Sequence, residues 1–166
     1  MSDFPSQPGT LQRTAQGFEG RLQRHYPHAP AALWAMLTEP AQMAKWLAPG
    51  AIDLRPGGAV RIDFADSGVV IDSTVTDLSP ERVLEYSWSS GDQPARPLRW
   101  VLEPDADGTR LSLTVRLPAD EDAAKACAGF EGHLDMLAAA LEDVPVRFPL
   151  DLYLQARKHY QALLDA

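Results

Sequence analysis

Apolar side chains recur on one face of the longest predicted helix, from Ala119 to Asp143. At about 100° per residue, positions three or four apart fall on one narrow stripe. Six apolar residues follow this spacing: Ala123, Cys127, Phe130, Leu134, Leu137 and Leu141. The pattern therefore predicts an amphipathic helix whose apolar face is turned inward.

The segment before this helix alternates strictly between apolar and polar side chains, from Arg110 to Leu117. A period of two is typical of a strand with one buried face. Similar alternation predicts further strands over Gly17–Tyr26, Val60–Phe64, Val69–Leu78, Val83–Ser89 and Leu98–Leu102. A hairpin turn is expected at Asp66-Ser67-Gly68, and proline and glycine separate the other segments.

Two short helices are predicted after the first strand. Pro30 suits the first turn of a helix that runs to about Thr38, because its missing N–H costs nothing there. The second helix is expected over Ala41–Leu47. The element order predicts an α+β fold in which a curved antiparallel sheet of about six to seven strands wraps around a long C-terminal helix.

Three parts of the chain are expected. Residues 1–12 are a polar, disordered lead-in, residues 13–143 form the domain, and residues 144–166 form a C-terminal extension. The extension contains a last helix over Leu150–Leu164, whose apolar members are Tyr153, Ala156, Tyr160 and Leu163. That apolar face must pack on the domain or on a partner, such as a second copy of the chain.

Composition excludes several classes of function. The chain has 166 residues and a net charge of −8, which disfavours nucleic acid and anionic membrane surfaces as partners. Cys127 is the only cysteine, so no internal disulfide forms. The sequence has neither an apolar run of about 18 residues nor the features of a signal peptide, so we expect no membrane span and a cytoplasmic location.

A spaced set of residues carries a family resemblance. It consists of Ala29-Pro30, Leu33-Trp34, Leu37-Thr38, Pro40, Met43, Trp46, Pro56-Gly57-Gly58, Pro80 to Leu84, Tyr86, Trp88, Trp100, Pro104, Gly108-Thr109, Leu111, Leu113, Gly129-Phe130 and His133-Leu134-Asp135. From about Phe18 to Leu141 the chain resembles the heat-shock protein 90 ATPase activator homologue family, within the START-like superfamily of helix-grip folds. That superfamily includes ligand carriers, cyclases, ring-hydroxylase subunits and cochaperones, so the resemblance implies a fold rather than one activity.

One position departs from the family pattern. The long helix commonly carries Gly-Trp where this chain has Gly129-Phe130. Phenylalanine keeps the bulk of the side chain but removes the indole N–H donor. The resemblance also implies little about chaperone activation, because the cochaperone of the family binds its chaperone through a separate N-terminal domain.

Inward-facing aromatic residues allow two interpretations. They either fill the core or line an apolar pocket, because a curved sheet and a straight helix leave a gap at one end. In the resembling fold, Trp46 and the loop before Leu98 lie near the mouth of such a gap. The candidate pocket residues are Trp46, Phe64, Tyr86, Trp88, Trp100, Phe130, His133 and Leu134.

His133 lies on the flank of the helix stripe, about 80° from its centre. It is either a surface or packing residue, or a pocket residue that binds a ligand or acts as an acid or base. The sequence provides no catalytic constellation, nucleotide loop or dinucleotide fingerprint. His25 and His28 lack a third ligand, so neither a metal nor another cofactor is expected, and Cys127 is expected to be a small buried residue.

Charged residues on the strands are expected on the solvated outer face of the sheet: Arg61, Asp63, Arg99 and Glu103. A shift of one residue in the register of a strand would instead turn Arg61 or Arg99 inward as a ligand anchor. Both possibilities remain open in the sequence.

The leading hypothesis is a non-catalytic module that binds a small apolar or amphipathic molecule. One alternative is an enzyme of the cyclase or hydrolase type, in which His133, Tyr86 or an arginine assists proton transfer. Another is a chaperone-associated or stress-response interaction protein that uses the acidic surface and the last helix. An empty space of about 300 Å³ or more beneath the long helix favours the first two, and a filled core favours the third.

Overall fold

The structure, a computed structural model, describes residues 8–64, 69–89 and 94–165. Within these ranges the strands are β1 (Thr10–Thr14), β2 (Gly17–Tyr26), β3 (Gly50–Ile52), β4 (Ala59–Phe64), β5 (Val69–Ser79), β6 (Val83–Tyr86), β7 (Leu98–Asp105) and β8 (Gly108–Pro118). The helices are α1 (Pro30–Thr38), α2 (Pro40–Trp46), α3 (Ala123–Leu141) and α4 (Leu150–Asp165).

The described strands form one antiparallel sheet in the order β1-β2-β8-β7-β6-β5-β4-β3. The predicted α+β architecture, a curved antiparallel sheet around a long C-terminal helix, is therefore confirmed. The helix α3 begins where the Asp122 carboxylate accepts a hydrogen bond from the backbone N–H of Lys125, at 3.1 Å. Its predicted stripe is buried as far as Leu137, and Leu141 is half-buried.

The register of the sheet places apolar side chains inward on every long strand. On β7, Leu98, Trp100 and Leu102 are buried, whereas Arg99 pairs with Asp77 and Glu85 on the other face, at 2.9 and 3.2 Å. On β4, Val60 and Ile62 are buried and Arg61 and Asp63 are exposed. The register that would turn Arg61 or Arg99 inward is therefore wrong.

The N-terminal part differs from expectation. The disordered lead-in was expected to extend to residue 12, but β1 begins at Thr10 and pairs with β2, and Leu11 is buried. With one apolar residue among four polar ones, β1 has no pattern from which a strand could be predicted. The sheet accordingly has eight described strands, and α1 and α2 follow the second. Residues 1–7 and the turn predicted at residues 66–68 lie outside the described residues.

A cluster of large aromatic side chains fills the space beneath α3. The rings of Trp46 and Trp100 meet edge to face, with centroids 5.7 Å apart. Each indole N–H has a partner: Trp46 Nε1 donates to the carbonyl of Met36 at 2.8 Å, and Trp100 Nε1 donates to the Tyr86 hydroxyl at 2.9 Å. These three aromatic residues are fully buried, and both indole N–H groups are hydrogen-bonded within the protein.

The last helix, α4, lies against α3 and β1. Its buried residues are Leu152, Ala156 and Tyr160, whereas Leu163, expected on the packed face, is 38% exposed. The difference arises because the packed face recurs every four residues, from Leu152 to Tyr160, and so reaches Leu164, which packs against the core in place of Leu163. None of the helices described is both long and apolar enough to cross a membrane.

The Glu131 cluster, which comprises Glu131, Arg24, Tyr160 and Gly9, connects α4 to the rest of the molecule. Glu131 on α3 is fully buried and forms an ion pair with Arg24 of β2. Its other oxygen accepts hydrogen bonds from the Tyr160 hydroxyl at 2.6 Å and from the backbone N–H of Gly9 at 3.1 Å. One carboxylate thus links four segments of the chain.

Candidate functional site

A cavity of about 560 Å³ lies between the flank of α3, strands β4 and β5, and the linker between α3 and α4. This volume is within the range of small-molecule sites, about 300–1,000 Å³. The cavity is lined by Leu47, Phe64, Val69, Ile71, Trp88, Arg96, Glu121, Asp122, Lys125, Ala126, Gly129, Phe130, His133, Phe148 and Tyr153. Smaller hollows of about 370 and 290 Å³ lie around Phe18 and Val146, and neither includes a candidate pocket residue.

One face of α3 supplies the long wall of the cavity. The lining positions of this helix recur at spacings of one and three residues and end at His133. Gly129 lies at the centre of this wall, and a Cβ atom built there would meet no other atom within 4 Å. The missing side chain therefore leaves the cavity open at mid-helix.

Trp88 forms the wall opposite α3. It follows the end of β6 with a φ of 48°, a left-handed conformation that bulky residues rarely adopt and that costs about 1–3 kcal/mol. Its ring lies 6.0 Å from that of Phe64 and 5.9 Å from that of Phe130, between centroids. Strained residues of this kind cluster at functional sites, which makes Trp88 a further pointer to this cavity.

His133 is the neutral polar group of the cavity wall. Its Nδ1 lies 2.8 Å from the carbonyl oxygen of Trp46. Burial lowers the pKa of His133 below its ordinary value of about 6.5, and the hydrogen bond to Trp46 offsets part of this effect. The imidazole is therefore neutral at pH 7. Its ring also contacts the rings of Phe64 and Phe148, with centroids 6.1 and 5.4 Å away.

Charged residues lie at the α3 N-terminal end of the cavity. Arg96 donates from Nε to the carbonyl of Trp88 at 3.1 Å and lies 3.8 Å from Glu121. Asp122 pairs with Arg157 at 3.3 Å, and Lys125 is exposed. Among the residues that the structure describes, the lining carries two cations, Arg96 and Lys125, and two anions, Glu121 and Asp122.

The structure divides the eight candidate pocket residues into two sets. Phe64, Trp88, Phe130 and His133 line the cavity. Trp46, Tyr86, Trp100 and Leu134 lie in the core, each at most 1% exposed. Two features were expected near the mouth of the pocket. The loop before Leu98 does line the cavity, through Arg96, whereas Trp46 does not, and the next residue, Leu47, lines it instead.

Other lining residues were not among the pocket candidates of the sequence. Phe148 belongs to the linker between α3 and α4, and a Cβ atom on Gly132 would lie 2.6 Å from its ring. The ring is therefore seated directly on the backbone of α3, and Tyr153 packs beside it, 5.8 Å away between centroids. A glycine three residues after Gly129 is the one sequence feature that could have indicated such a contact.

The remaining reactive groups lie away from the cavity. Burial raises the pKa of Cys127 to about 12, and the Tyr86 hydroxyl, whose pKa burial also raises, already accepts the N–H of Trp100. Among the described residues, no three His, Cys, Asp or Glu side chains are grouped closely enough to hold a metal ion. The lining provides a surface for binding and, in His133, a single neutral base.

The antiparallel sheet around a long C-terminal helix, with a cavity beside that helix, defines a protein of the START-like, helix-grip class. The family model for Activator of Hsp90 ATPase homolog 1-like protein matches residues 27–142. The chain belongs to this family. No functionally curated protein matches the chain.

Solved structures share the fold over nearly the whole chain. CalU16 from Micromonospora echinospora is 19% identical, covers 98% of this chain and all of its own, and superposes with a TM-score of 0.81. The protein encoded by BPP1335 of Bordetella parapertussis is 27% identical over 98% of this chain and 93% of its own, with a TM-score of 0.73.

A third similar structure is DynU16, a protein of the dynemicin biosynthetic locus. It is 28% identical, and the match covers 74% of this chain and 46% of that longer chain, with a TM-score of 0.66. The match to CalU16, at 19% identity, concerns the fold alone.

Proposed function

We propose that the protein is a binding module for a small, largely apolar molecule, which it holds in the cavity between α3 and strands β4 and β5. The observation that carries this proposal is a cavity of about 560 Å³ that lies beside a core of packed aliphatic and aromatic side chains. A volume of this size, lined by several aromatic rings, is typical of a small-molecule site.

The lining favours an uncharged ligand body. Phe64, Trp88, Phe130 and Phe148 present aromatic rings, and the four charged residues balance one another. Aromatic rings favour edge-to-face and offset contacts with another ring, worth about 0.5–1.5 kcal/mol beyond the area that they bury. We therefore expect aromatic ligands to bind more tightly than aliphatic ones of equal size.

The occurrence of DynU16 in a biosynthetic locus supports the proposal that the cavity binds a small molecule. DynU16, which shares the fold, is a protein of the dynemicin biosynthetic locus. For the present chain this supports a small organic ligand and identifies none. A compound recovered from the protein with an altered mass, or with an altered absorption spectrum at unchanged mass, would indicate an enzyme of the hydrolase or cyclase type instead.

The test is a titration of the purified protein with naphthalene derivatives and with decanoic acid, followed by calorimetry. Binding in the cavity predicts a negative heat-capacity change, because apolar surface is removed from water. The variant Gly129→Leu places a side chain in the open space at mid-helix and should abolish binding.

Ala138→Leu is the matched control, because Ala138 is an exposed position of the same helix and does not line the cavity. It should bind as the wild type does. Wild-type protein that binds none of the compounds, or a Gly129→Leu variant that binds them undiminished, would contradict the proposed function.

A further inference from the structure

We propose that His133 selects ligands that carry a hydrogen-bond donor, so that the bound molecule is a neutral aromatic compound with a hydroxyl or N–H group directed at Nε2 of His133. This inference rests on the proposed function of the cavity. It adds the chemical class of the ligand and the residue that distinguishes it.

The hydrogen bond to Trp46 fixes which nitrogen of His133 carries the proton. A carbonyl oxygen only accepts, so Nδ1, 2.8 Å from the Trp46 oxygen, must be the donor. In a neutral imidazole the other nitrogen is then an acceptor. The backbone of α2 thus determines that Nε2 offers a lone pair.

Nε2 is available to a bound molecule. Among the residues described, no group donates a hydrogen bond to it, and it is not one of the sealed side-chain atoms that lack a partner. Since the imidazole lines the cavity, a ligand there can reach this nitrogen. A ligand acceptor placed opposite Nε2 would form no hydrogen bond, because the lone pairs of two acceptors would face each other.

The carboxylates of Glu121 and Asp122 lie at the other end of the cavity, at the N-terminus of α3, so Nε2 is the acceptor beside the apolar rings that surround His133. The rings of Phe64 and Phe148 contact the imidazole and offer a ligand no conventional hydrogen bond. A hydroxyl or N–H that enters an apolar cavity without a partner loses its hydrogen bonds to water and gains nothing in return. A ligand donor directed at Nε2 regains a hydrogen bond there, so it avoids this cost of leaving water.

The experiment compares two compounds that differ in this donor. The affinities of 1-naphthol and 1-methoxynaphthalene are measured for the wild type and for His133→Phe, which keeps an aromatic ring and removes the acceptor. We expect the wild type to bind 1-naphthol about tenfold more tightly, which corresponds to about 1.4 kcal/mol and lies within the net contribution of one hydrogen bond. The variant should bind the two equally.

A spectroscopic readout on the wild type avoids dependence on the variant. In ¹⁵N spectra of the imidazole, 1-naphthol should shift the Nε2 resonance, and 1-methoxynaphthalene should leave it close to its position in the free protein.

A third compound, 2-naphthoate, tests the cations Arg96 and Lys125. Tighter binding of the carboxylate than of 1-naphthol would overturn the inference, because the charged residues would then define the ligand.

The two proposals fail differently. Equal affinities of the wild type for 1-naphthol and 1-methoxynaphthalene, with no shift at Nε2, would overturn the role of His133 and leave the binding function standing. Failure of the wild type to bind any of these three compounds or decanoic acid would overturn both.

Discussion

At the scale of single residues, two buried polar side chains of α3 are held by opposite means. His133 is neutral and makes one hydrogen bond to a backbone carbonyl. Glu131, two positions earlier, is an acceptor for an arginine, a tyrosine and a backbone N–H. The arrangement of His133 predicts that stability depends on pH. The arrangement of Glu131 predicts that stability depends on which member of its ion pair is removed.

The lowered pKa of His133 predicts a loss of stability in mild acid. The unfolded chain binds a proton on this histidine near pH 6.5, whereas the folded chain binds it only at a lower pH. The contribution is therefore complete above about pH 6.5 and is lost as the pH falls toward and through the lowered folded pKa. Urea unfolding at pH 8 and pH 5.5 should show a larger loss for the wild type than for His133→Phe.

The charged groups of the same cavity are Arg96, Glu121, Asp122 and Lys125, and both proteins retain them. The comparison of the two proteins therefore isolates the effect of the imidazole. Equal losses of unfolding free energy in the two proteins would contradict the environment assigned to His133.

The Glu131 cluster predicts an asymmetry between its two charged members. Arg24→Met leaves a carboxylate with no exposed surface without its cation, which should cost about 3–5 kcal/mol of unfolding free energy. Glu131→Gln leaves an arginine that is still 17% exposed, and the amide oxygen can accept a hydrogen bond, so a cost of about 1–2 kcal/mol is expected.

Denaturant unfolding of both variants measures this difference. Arg21→Met is the matched control on the same strand, because Arg21 is 66% exposed and its ion pair with Glu19 contributes at most about 1 kcal/mol. A result in which Arg24→Met costs no more than Arg21→Met would show that the buried pair does not hold the four segments together.

At the scale of elements, α3 carries two glycines with opposite surroundings. Alanine stabilises a helix interior by about 0.5–1 kcal/mol relative to glycine. At Gly129 the added Cβ meets open space, so Gly129→Ala should gain that amount. At Gly132 the Cβ would lie 2.6 Å from the Phe148 ring, so Gly132→Ala should gain less or become destabilising as the ring is displaced.

Thermal melting of the two variants tests this difference directly. Each variant serves as the control for the other, because the helix and the substitution are the same. Equal shifts of the melting temperature would mean that the linker does not rest on α3 as described.

The sequence predicted elements well where a buried face repeats over many residues. The stripe of α3 and the alternation on β8 each span enough positions to determine both the type of element and its inward face. β1 was missed because five residues with one buried leucine, Leu11, contain no period. Its position depends on pairing with β2, and local sequence carries no record of that pairing.

At the scale of the whole molecule, the cavity is assembled from segments that are distant in sequence. Phe64 ends one strand, Trp88 follows another, and Phe148 lies in a linker more than eighty residues from Phe64. The sequence indicated that inward aromatic residues either fill the core or line a pocket, and the structure contains both arrangements. Which aromatic belongs to which depends on the curvature of the sheet against α3, and side-chain type alone does not encode it.

The claim on which the account depends is that a small molecule binds beside α3. Titration of isotopically labelled protein with 1-naphthol, followed residue by residue in ¹H–¹⁵N spectra, locates any binding site directly. We predict saturable shifts concentrated at Trp88, Gly129, Phe130, His133 and Phe148, with the outer-face residue Arg99 unchanged. Shifts confined to the hollow around Val146 or the one around Phe18, or no shifts at saturating ligand, would contradict the account.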